Sequence, residues 1–427
     1  MTAPRTRRAL AATVALSALL SACVQNQQPV ASAQEIQTYT ANYPPELQRL
    51  YAQVPAQGKR NLVLNHMRAG LAAMDLGHFT HAEASFDEAL AVIEAIYADN
   101  PDAERARSVW YAESVKDFKG EPYERAMAYY YRGLLYMMKG DYQNARASFR
   151  GGLLQDSFME ANERMASDFG ALAFLEGWAG RCANFDPGTV NASFTEAAAR
   201  NPGLGAPPSS ANTLMIVETG AAPRKLQAGD RREVLRYARA NPAGVSTARF
   251  VLGGQSVQGV EAEDLYYQAA TRSGRWVDAV NEGKVQYKQG TEVAGQVATA
   301  AGAGLLAASA ATGNRDMAGA GAAVLLVGLI AQVAADSMKT EADARQWDNL
   351  PGNIVLATTT YAPPSSNRRN APAPGAPNAE AVIDRNGATM TRSLRYSQAG
   401  GCALAWGREL PATRIPDEAP FSRPGGR

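Results

Sequence analysis

The sequence predicts a mixed α+β fold, mainly α, with an N-terminal helical domain, a central Ala/Gly-rich helical hairpin and a smaller C-terminal β-containing region. Three observations predict this fold. Apolar residues recur with the helical period of 3.6 through residues 60–202. Residues 291–335 hold two long Ala/Gly-rich apolar stretches around a polar turn. Residues 381–410 alternate around Asn386-Gly387, a dipeptide typical of a two-residue β-hairpin turn.

The N-terminus has the pattern of a lipoprotein signal peptide, residues 1–22, followed by a cysteine that accepts lipid. Arginines precede an apolar run, Ala9–Leu20, that is shorter than the roughly 20 residues needed to span a bilayer. Leu20-Ser21-Ala22 then leads into Cys23, whose thiol we expect to carry the lipid anchor. Several acyl chains on one residue anchor a protein stably, where a single chain does not. The alternative is an ordinary signal peptide cut elsewhere, with Cys23 discarded.

The residues after the cysteine predict where the protein resides. Val24, rather than aspartate, follows Cys23, and by resemblance to sorted lipoproteins this favours the outer membrane, with the chain facing the periplasm. Gln25–Glu35 is polar and interrupted by proline, as expected of a flexible tether. Residues 23–59 are therefore predicted to hold the lipidated cysteine, the tether and a first short helix.

The bulk composition argues against some classes of partner. Without the signal peptide, 405 residues remain, enough for two or three domains, with 39 basic and 41 acidic side chains. Such a near-neutral chain gives no case for binding nucleic acid or an anionic surface. Besides Cys23 the chain has Cys182 and Cys402, and in an oxidising periplasm we expect this pair to form a disulfide. The alternative is two separate buried thiols.

Two stretches of the helical domain align with each other without a gap. The first comprises Gly70, Ala73, Gly77, Phe79, Ala82, Phe86 and Ala89, and the second comprises Gly133, Tyr136, Gly140, Tyr142, Ala145, Phe149 and Gly152. Both are similar to the tetratricopeptide repeat, a helix–turn–helix unit of about 34 residues. In such a unit small residues let the two helices approach closely, glycine forms the turn, and aromatic residues fill the gap to the next helix.

The spacing of these two units departs from a regular array, because they lie 63 residues apart. A separate helix around Arg105–Val115 and a turn at Gly120-Glu121-Pro122 are predicted between them. A third unit is suggested by Phe194 and Ala197, with a first helix around Ala171–Gly180. Since a stacked solenoid needs about three repeats, we predict a compact helical domain whose inner face binds a peptide. The alternative is that these helices only support the rest of the protein.

Residues 291–347 are predicted to form the Ala/Gly-rich hairpin and a following helix. Thr291–Ala310 and Met317–Ala335 carry small residues four positions apart, which allow close approach of helix backbones. Three interpretations stay open: a hairpin buried within the protein, a zipper for self-association, or membrane insertion, for which the second arm is long enough. The glycines available to a self-associating surface are Gly302, Gly304, Gly319 and Gly328.

The rest of the chain is predicted to hold β-structure in two separate segments, 203–290 and 348–427, the first of which also contains a helix. Runs rich in β-branched residues between Gly and Pro predict the strands. The predicted elements are strands at Thr213–Glu218, Ala248–Leu252 and Ile354–Thr360, helices at Glu261–Ala270 and Glu341–Trp347, a Pro-rich loop at 362–380 and a disordered tail from Pro411.

Three further stretches carry a family resemblance: Gly120–Arg125, Gly220–Lys225 and Ala342–Pro351. They resemble an uncharacterised family of bacterial envelope lipoproteins with tetratricopeptide-like repeats, in which an Ala/Gly-rich helical segment precedes the motif Ala-Asp-x-Arg-x-Trp-x-x-Leu-Pro. The likeness covers roughly residues 60–360. It implies an envelope location, no known catalysis and a link to peptidoglycan, because members resemble neighbours of cell-wall synthase activators. The Pro-rich loop at 362–380 and the two cysteines depart from the family.

No sequence motif marks the chain as an enzyme, and no cofactor or metal is predicted. The three histidines, His66, His78 and His81, lack cysteines or acids at a recognisable metal-binding spacing. The sequence has no Gly-x-Ser-x-Gly motif, phosphate-binding loop or dinucleotide fingerprint. Asp343 and Arg345, next to Trp347, are either an interaction site that a partner recognises or a helix end held by the tryptophan.

The sequence therefore predicts a lipid-anchored outer-membrane scaffold or adaptor that binds an envelope protein during cell-envelope biogenesis. Its predicted partner contacts are Tyr129, Arg132, Tyr136 and Met137 on the inner helices, although Tyr136 also suits a core position. The alternative is a homo-oligomeric secretion or pore accessory that assembles through the Ala/Gly-rich hairpin. A cell-wall hydrolase is a third class, without a motif that supports it.

Overall fold

The computed structural model describes residues 31–96, 117–157, 167–229, 232–245, 247–271, 342–362 and 376–414. Within these ranges the chain forms nine α-helices and eleven strands, so the predicted α+β class with helices predominating is confirmed. Cys23, the predicted helix at 105–115 and the Ala/Gly-rich hairpin with Gly302, Gly304, Gly319 and Gly328 lie outside the described residues. No helix in the described part of the chain is long and apolar enough to cross a membrane.

The first eight helices follow one another along the chain, and each packs against the next, whereas the ninth lies between strands and contacts β3. Glycines in the left-handed region end the first helices of two pairs, Gly77 with φ +88° and Gly140 with φ +79°, which is the usual role of glycine after a helix. The helices are α1 Ala33–Thr40, α2 Pro45–Gln57, α3 Leu62–Leu76, α4 Phe79–Ile96, α5 Pro122–Lys139, α6 Tyr142–Ser157, α7 Gly170–Cys182, α8 Pro187–Arg200 and α9 Leu265–Thr271.

Helices α3 to α8 form three antiparallel pairs whose close approach depends on glycine. A Cβ atom at Gly70 would lie 3.3 Å from Phe86 Cε2, and one at Gly133 would lie 2.3 Å from Phe149 Cε1. In the third pair a Cβ at Gly177 would lie 3.0 Å from the ring of Phe194. The close approach expected at the small positions therefore occurs in all three pairs.

Replacing Gly133 by alanine is expected to destabilise the protein by about 1–3 kcal/mol. The added methyl group would overlap the Phe149 ring, which is fully buried and cannot move into solvent. This clash outweighs the gain in helix propensity, which is about 1 kcal/mol. Urea unfolding followed by circular dichroism measures the difference. Gly180→Ala is the matched control, because its new Cβ would meet nothing closer than 3.3 Å and should be near neutral.

The strands form a five-stranded sheet, a four-stranded sheet and one separate hairpin. The order in the first sheet is β10-β11-β1-β7-β6, in which only β1 and β11 run parallel; the order in the second is β5-β4-β8-β9, and β2 pairs with β3. The strands are β1 Thr213–Thr219, β2 Arg224–Ala228, β3 Val234–Ala238, β4 Arg249–Leu252, β5 Gln255–Gln258, β6 Val260–Asp264, β7 Asn353–Thr359, β8 Ala379–Arg385, β9 Ala388–Ser393, β10 Arg395–Ala399 and β11 Cys402–Arg408.

The five-stranded sheet is the middle of three layers. Alternate residues of β1 point to opposite faces, so Leu214 and Ile216 join the core formed with the helices. Met215 and Val217 join a second core with the four-stranded sheet. Every residue of β1 and of β11 is buried, as expected for strands covered on both faces.

The segments 203–290 and 348–427 contribute strands to the same two sheets, because β1 lies between β7 and β11 and β4 pairs with β8. Two boundaries predicted from the sequence are wrong. Residues 261–264 of the predicted helix Glu261–Ala270 belong to strand β6, and the helix begins at Leu265. The predicted tail from Pro411 is ordered as far as the described residues extend, since the Ala412 N–H donates to Asp75 Oδ2 at 2.8 Å.

The predicted helix Glu341–Trp347 is also wrong, because its described residues, 342–347, form no helix. Their N–H groups bond outside any helical pattern. The Ala342 N–H donates to Arg232 O at 2.9 Å, and the Arg345 N–H donates to the Asp343 carboxylate at 2.9 Å. Side-chain acceptors of this kind compete with the helix for backbone donors.

Cys182 and Cys402 form a disulfide across 220 residues of sequence. Cys182 ends α7 and Cys402 begins β11, so the bond joins the helical layer to the middle sheet. This is the pairing that the sequence suggested.

Candidate functional site

The three stretches that carry the family resemblance meet at one buried point between the helices and the hairpin β2–β3. Glu124, from the first stretch, is fully buried at the start of α5. Its carboxylate accepts from Lys225 Nζ at 2.7 Å and from the Trp347 N–H at 2.7 Å. Lys225 belongs to the second stretch and Trp347 to the third, so one carboxylate joins all three. We call the set Glu124, Lys225 and Trp347 the junction.

Further contacts surround the junction. Lys225 Nζ also donates to Arg345 O at 2.9 Å, and the Lys225 N–H donates to Gln346 Oε1 at 2.7 Å. The Phe118 ring lies 5.5 Å from Lys225 Nζ, close enough for a cation–π contact. The lysine is thus held by a carboxylate, a carbonyl and an aromatic face, which is how a buried charge is tolerated.

Asp343 and Arg345 act within the chain. Arg345 donates to both oxygens of Asp343, at 2.8 and 2.6 Å, and to Asn61 Oδ1 at 2.7 Å. Trp347 is fully buried beside Tyr131, with ring centroids 5.7 Å apart. Of the two interpretations offered by the sequence, packing by the tryptophan fits these contacts, although the packed segment is not helical.

A bidentate ion pair attaches the segment that contains Trp347 to α3. Arg68 Nε and Nη2 donate to the two oxygens of Asp348 at 2.8 and 2.7 Å, and about a fifth of each side chain is exposed. We expect a double-mutant cycle of Arg68→Ala and Asp348→Ala to give a coupling energy of about 1 kcal/mol, because the ion pair is bidentate but partly exposed to solvent. Thermal unfolding at low and high salt measures it. A coupling near zero would show that the pair does not attach the segment.

A second buried cluster centres on Glu218 in β1. Glu218 accepts from Trp406 Nε1 and from Tyr131 OH, both at 2.9 Å, and pairs closely with Arg408 Nη1. Burial raises the pKa of the Glu218 carboxyl, and the charge of Arg408 opposes that shift. The cluster joins α5 to β1 and β11 at the centre of the middle sheet.

Glu263 in β6 is a buried acid without a cationic partner among its described contacts. It accepts from Gln268 Nε2 at 2.9 Å and from the Ala171 N–H at 3.3 Å. Burial raises its pKa to about 8, the two hydrogen bonds lower it, and the nearby charges of Asp156 and Asp168 raise it further. No pattern in the sequence identifies Glu263, because a single glutamate in a short strand has no distinctive spacing.

The predicted partner contacts are largely unavailable to a partner. Tyr129 is 9% exposed and Met137 2%, and Tyr129 OH donates to Glu94 Oε1 at 2.8 Å. Arg132 is 8% exposed, donates to Asp87 at 2.7 Å and stacks on Tyr136 at 3.8 Å. These four residues therefore do not form the exposed contact surface that the sequence suggested. Their side chains pack within the protein, and of the four only Tyr136 is partly exposed.

The three histidines contact residues other than those of the junction, and the rings of His78 and His81 lie 6.4 Å apart. His78 Nε2 lies 2.9 Å from Glu46 Oε1, and His81 packs beside the ring of Tyr43. His66 is buried in α3, and burial lowers its pKa. Among the residues that the structure describes, no group of three His, Cys, Asp or Glu side chains is arranged to hold a metal ion.

An open groove of about 400 Å³ runs between α6, α7 and α8. We call it the α6–α8 groove. Two arginines and two leucines line it from α6, one glutamate forms its floor on α7, and small or polar residues line it from α8. Its lining residues are Arg146, Arg150, Leu153, Leu154, Ser157, Ser167, Glu176, Thr189, Ala192, Ser193 and Glu196.

Comparison of the chain with protein-family models, curated proteins and solved structures finds no match. The α6–α8 groove is an open concave surface of the helical domain, whereas the junction and the Glu218 cluster are internal.

Proposed function

We propose that the protein is a lipid-anchored lipoprotein of the outer membrane that acts as a protein-binding scaffold or adaptor in cell-envelope biogenesis. The observation that carries this proposal is the α6–α8 groove, an open surface on a helical domain whose position is held firmly. A groove lined by both apolar and charged side chains is the usual form of a peptide-binding surface.

The several connections between the helical domain and the β layers support an adaptor role. The junction, the Glu218 cluster and the disulfide each connect the helices to the β layers at a different place. An adaptor must keep its binding surface in a defined orientation, since ordering a mobile surface on binding costs affinity. Three separate connections reduce that cost.

The proposed location rests on the lipobox pattern ending at Cys23 and is supported by the disulfide. Disulfides persist in oxidising compartments such as the periplasm and are rare in the cytosol. The pair Cys182–Cys402 is therefore compatible with an exported chain.

Crosslinking in intact cells tests the function. A C-terminally tagged copy is crosslinked, purified from solubilised envelopes and analysed by mass spectrometry, with a tagged unrelated lipoprotein as the control. We expect one dominant envelope protein that the control does not capture. Recovery of the chain without any specific envelope protein would contradict the adaptor role.

A second candidate function is a self-assembling secretion or pore accessory. One observation favours it: the residues immediately before and immediately after the segment 272–341 both contact the hairpin β2–β3. Helix α9, which ends at Thr271, packs against β3, and the Ala342 N–H bonds to Arg232 in the β2–β3 connection. A stable ring in detergent that is lost on Gly319→Leu would support this function, and a monomer would count against it.

A further inference from the structure

The α6–α8 groove has an uneven distribution of charge. Glu176, on its floor, is 5% exposed and already paired with Arg146 at 2.8 Å. Arg150 is 4.0 Å from the same carboxylate oxygen, and its side chain is 71% exposed. Because one carboxylate serves two guanidinium groups, the Arg146–Arg150–Glu176 set carries a surplus positive charge.

The acid on the opposite wall does not remove this surplus. Glu196 in α8 is bonded to Arg200 of the same helix at 2.6 Å. That pair is neutral on its own. Among the described residues that line the groove, the guanidinium of Arg150 is therefore the charge that is most exposed to a ligand. Its preferred ligand is a carboxylate, which matches its planar donors.

An exposed apolar residue lies one helical turn from Arg150. Leu154 is 54% exposed. Its neighbour Leu153 is 8% exposed and lines the groove as well. Positions four apart in a helix lie on the same face. Arg150 and Leu154 thus present a cation and an apolar surface side by side.

The dimensions of the groove suit an extended peptide. Arg146 and Leu154 are eight residues apart in α6, which corresponds to about 12 Å along the helix. This is the length of three to four residues of extended chain. Ala192 and Ser193 on the α8 wall are small and leave room for a backbone.

We propose that the α6–α8 groove binds an acidic segment of a partner protein, in which a carboxylate pairs with Arg150 and an adjacent apolar side chain packs on Leu154. This inference rests on the proposed adaptor function and specifies its binding surface. The acidic residue supplies orientation and the apolar residue supplies buried area, so both are required together.

A peptide array tests the inference with the mature lipoprotein in detergent. Hexapeptides contain either Asp or Asn, and either Leu or Ser, in all spacings. We expect the peptides with both Asp and Leu to bind, and the Asn series to bind about tenfold more weakly. Arg150→Glu should weaken the Asp–Leu peptides about tenfold or more, and Leu154→Ser by several-fold. All variants must keep the wild-type melting temperature, as expected of exposed positions.

Arg249→Glu is the matched control, since Arg249 is an exposed arginine on β4, in the outer sheet. It should leave peptide binding unchanged. Equal binding to the wild type and to Arg150→Glu, or no binding of any Asp–Leu peptide to the wild type, would overturn the inference.

The crosslinking experiment separates this failure from failure of the adaptor role. If Arg150→Glu with Leu154→Ser still captures the same envelope protein as the wild type, the partner binds elsewhere and only the groove assignment fails. If the wild type captures no envelope protein, the adaptor role itself fails.

Discussion

Replacing Glu218 by alanine is expected to destabilise the protein by about 3–5 kcal/mol, because it leaves the buried guanidinium of Arg408 without its carboxylate. Both side chains are almost completely buried, at 0% and 3% exposure. Arg408 would keep Tyr131 OH and Asn349 O as acceptors, at 3.0 and 2.6 Å, but neither carries a charge. Desolvation of an arginine is offset mainly by an opposite charge, so the loss of Glu218 outweighs the loss of its own hydrogen bonds.

Two further variants distinguish this explanation from a general loss of packing. Glu196→Ala removes the exposed carboxylate that pairs with Arg200, and we expect a loss of less than about 0.5 kcal/mol. The double variant Glu218→Leu/Arg408→Met replaces both charges by apolar groups and should recover much of the stability. Urea unfolding measures all three. If the double variant were as unstable as Glu218→Ala, the uncompensated charge would not be the cause.

The elements that sequence alone predicts well are those with local signals. The repeated spacing of Gly70 and Gly133 relative to the following aromatics reports helix packing within about 20 residues, and it predicts two helix pairs that the structure contains. The turn at Asn386-Gly387 likewise occurs, with φ of +49° and +81°, because few other residues adopt that conformation.

Structural elements that depend on contacts between residues far apart in the sequence are predicted poorly. Glu124 meets Lys225 across 101 residues and Trp347 across 223. The family resemblance identified the three stretches that contain these residues, but nothing in their spacing says that they meet. The predicted helix at 341–347 fails partly for the same reason, since the distant Glu124 accepts the Trp347 N–H, while the adjacent Asp343 accepts that of Arg345.

The predicted binding face fails because α5 is packed on nearly all sides. Of its 18 residues, 14 are buried, so the 3.6-residue pattern does not distinguish an open face from a covered one. The aromatic and basic residues Tyr129 and Arg132 resemble binding residues in composition, yet they satisfy Glu94 and Asp87 on α4. Arg150 and Leu154 are identified instead by the exposure of their side chains. That exposure depends on which helices lie next to α6, so it follows from the fold.

Glu263 should make the protein less stable as the pH rises from 5 to 9. Its carboxyl titrates near 4.5 in the unfolded chain and at about 8 in the folded protein. Between these values the folded state holds a proton that the unfolded state has lost. The stabilising effect is complete below pH 4.5 and is lost as the pH rises through 8, at about 1.4 kcal/mol per pH unit. The total for this group is at most about 4–5 kcal/mol.

Glu263→Gln isolates this contribution, because glutamine is neutral at every pH and can still accept from the Ala171 N–H. We expect the wild type to lose about 1–1.5 kcal/mol more than the variant between pH 7 and pH 9, measured by urea unfolding, because most of the remaining loss occurs below pH 8. This window avoids His66, whose lowered pKa reduces stability only as the pH falls below about 6.5. Glu261→Gln, two residues away in β6 and only half-buried, is the control and should have a smaller effect. Parallel pH profiles for the wild type and Glu263→Gln would mean that Glu263 is already ionised in the folded protein at pH 7. Its neighbours Gln268 and Ala171 would then stabilise the carboxylate more than burial opposes it.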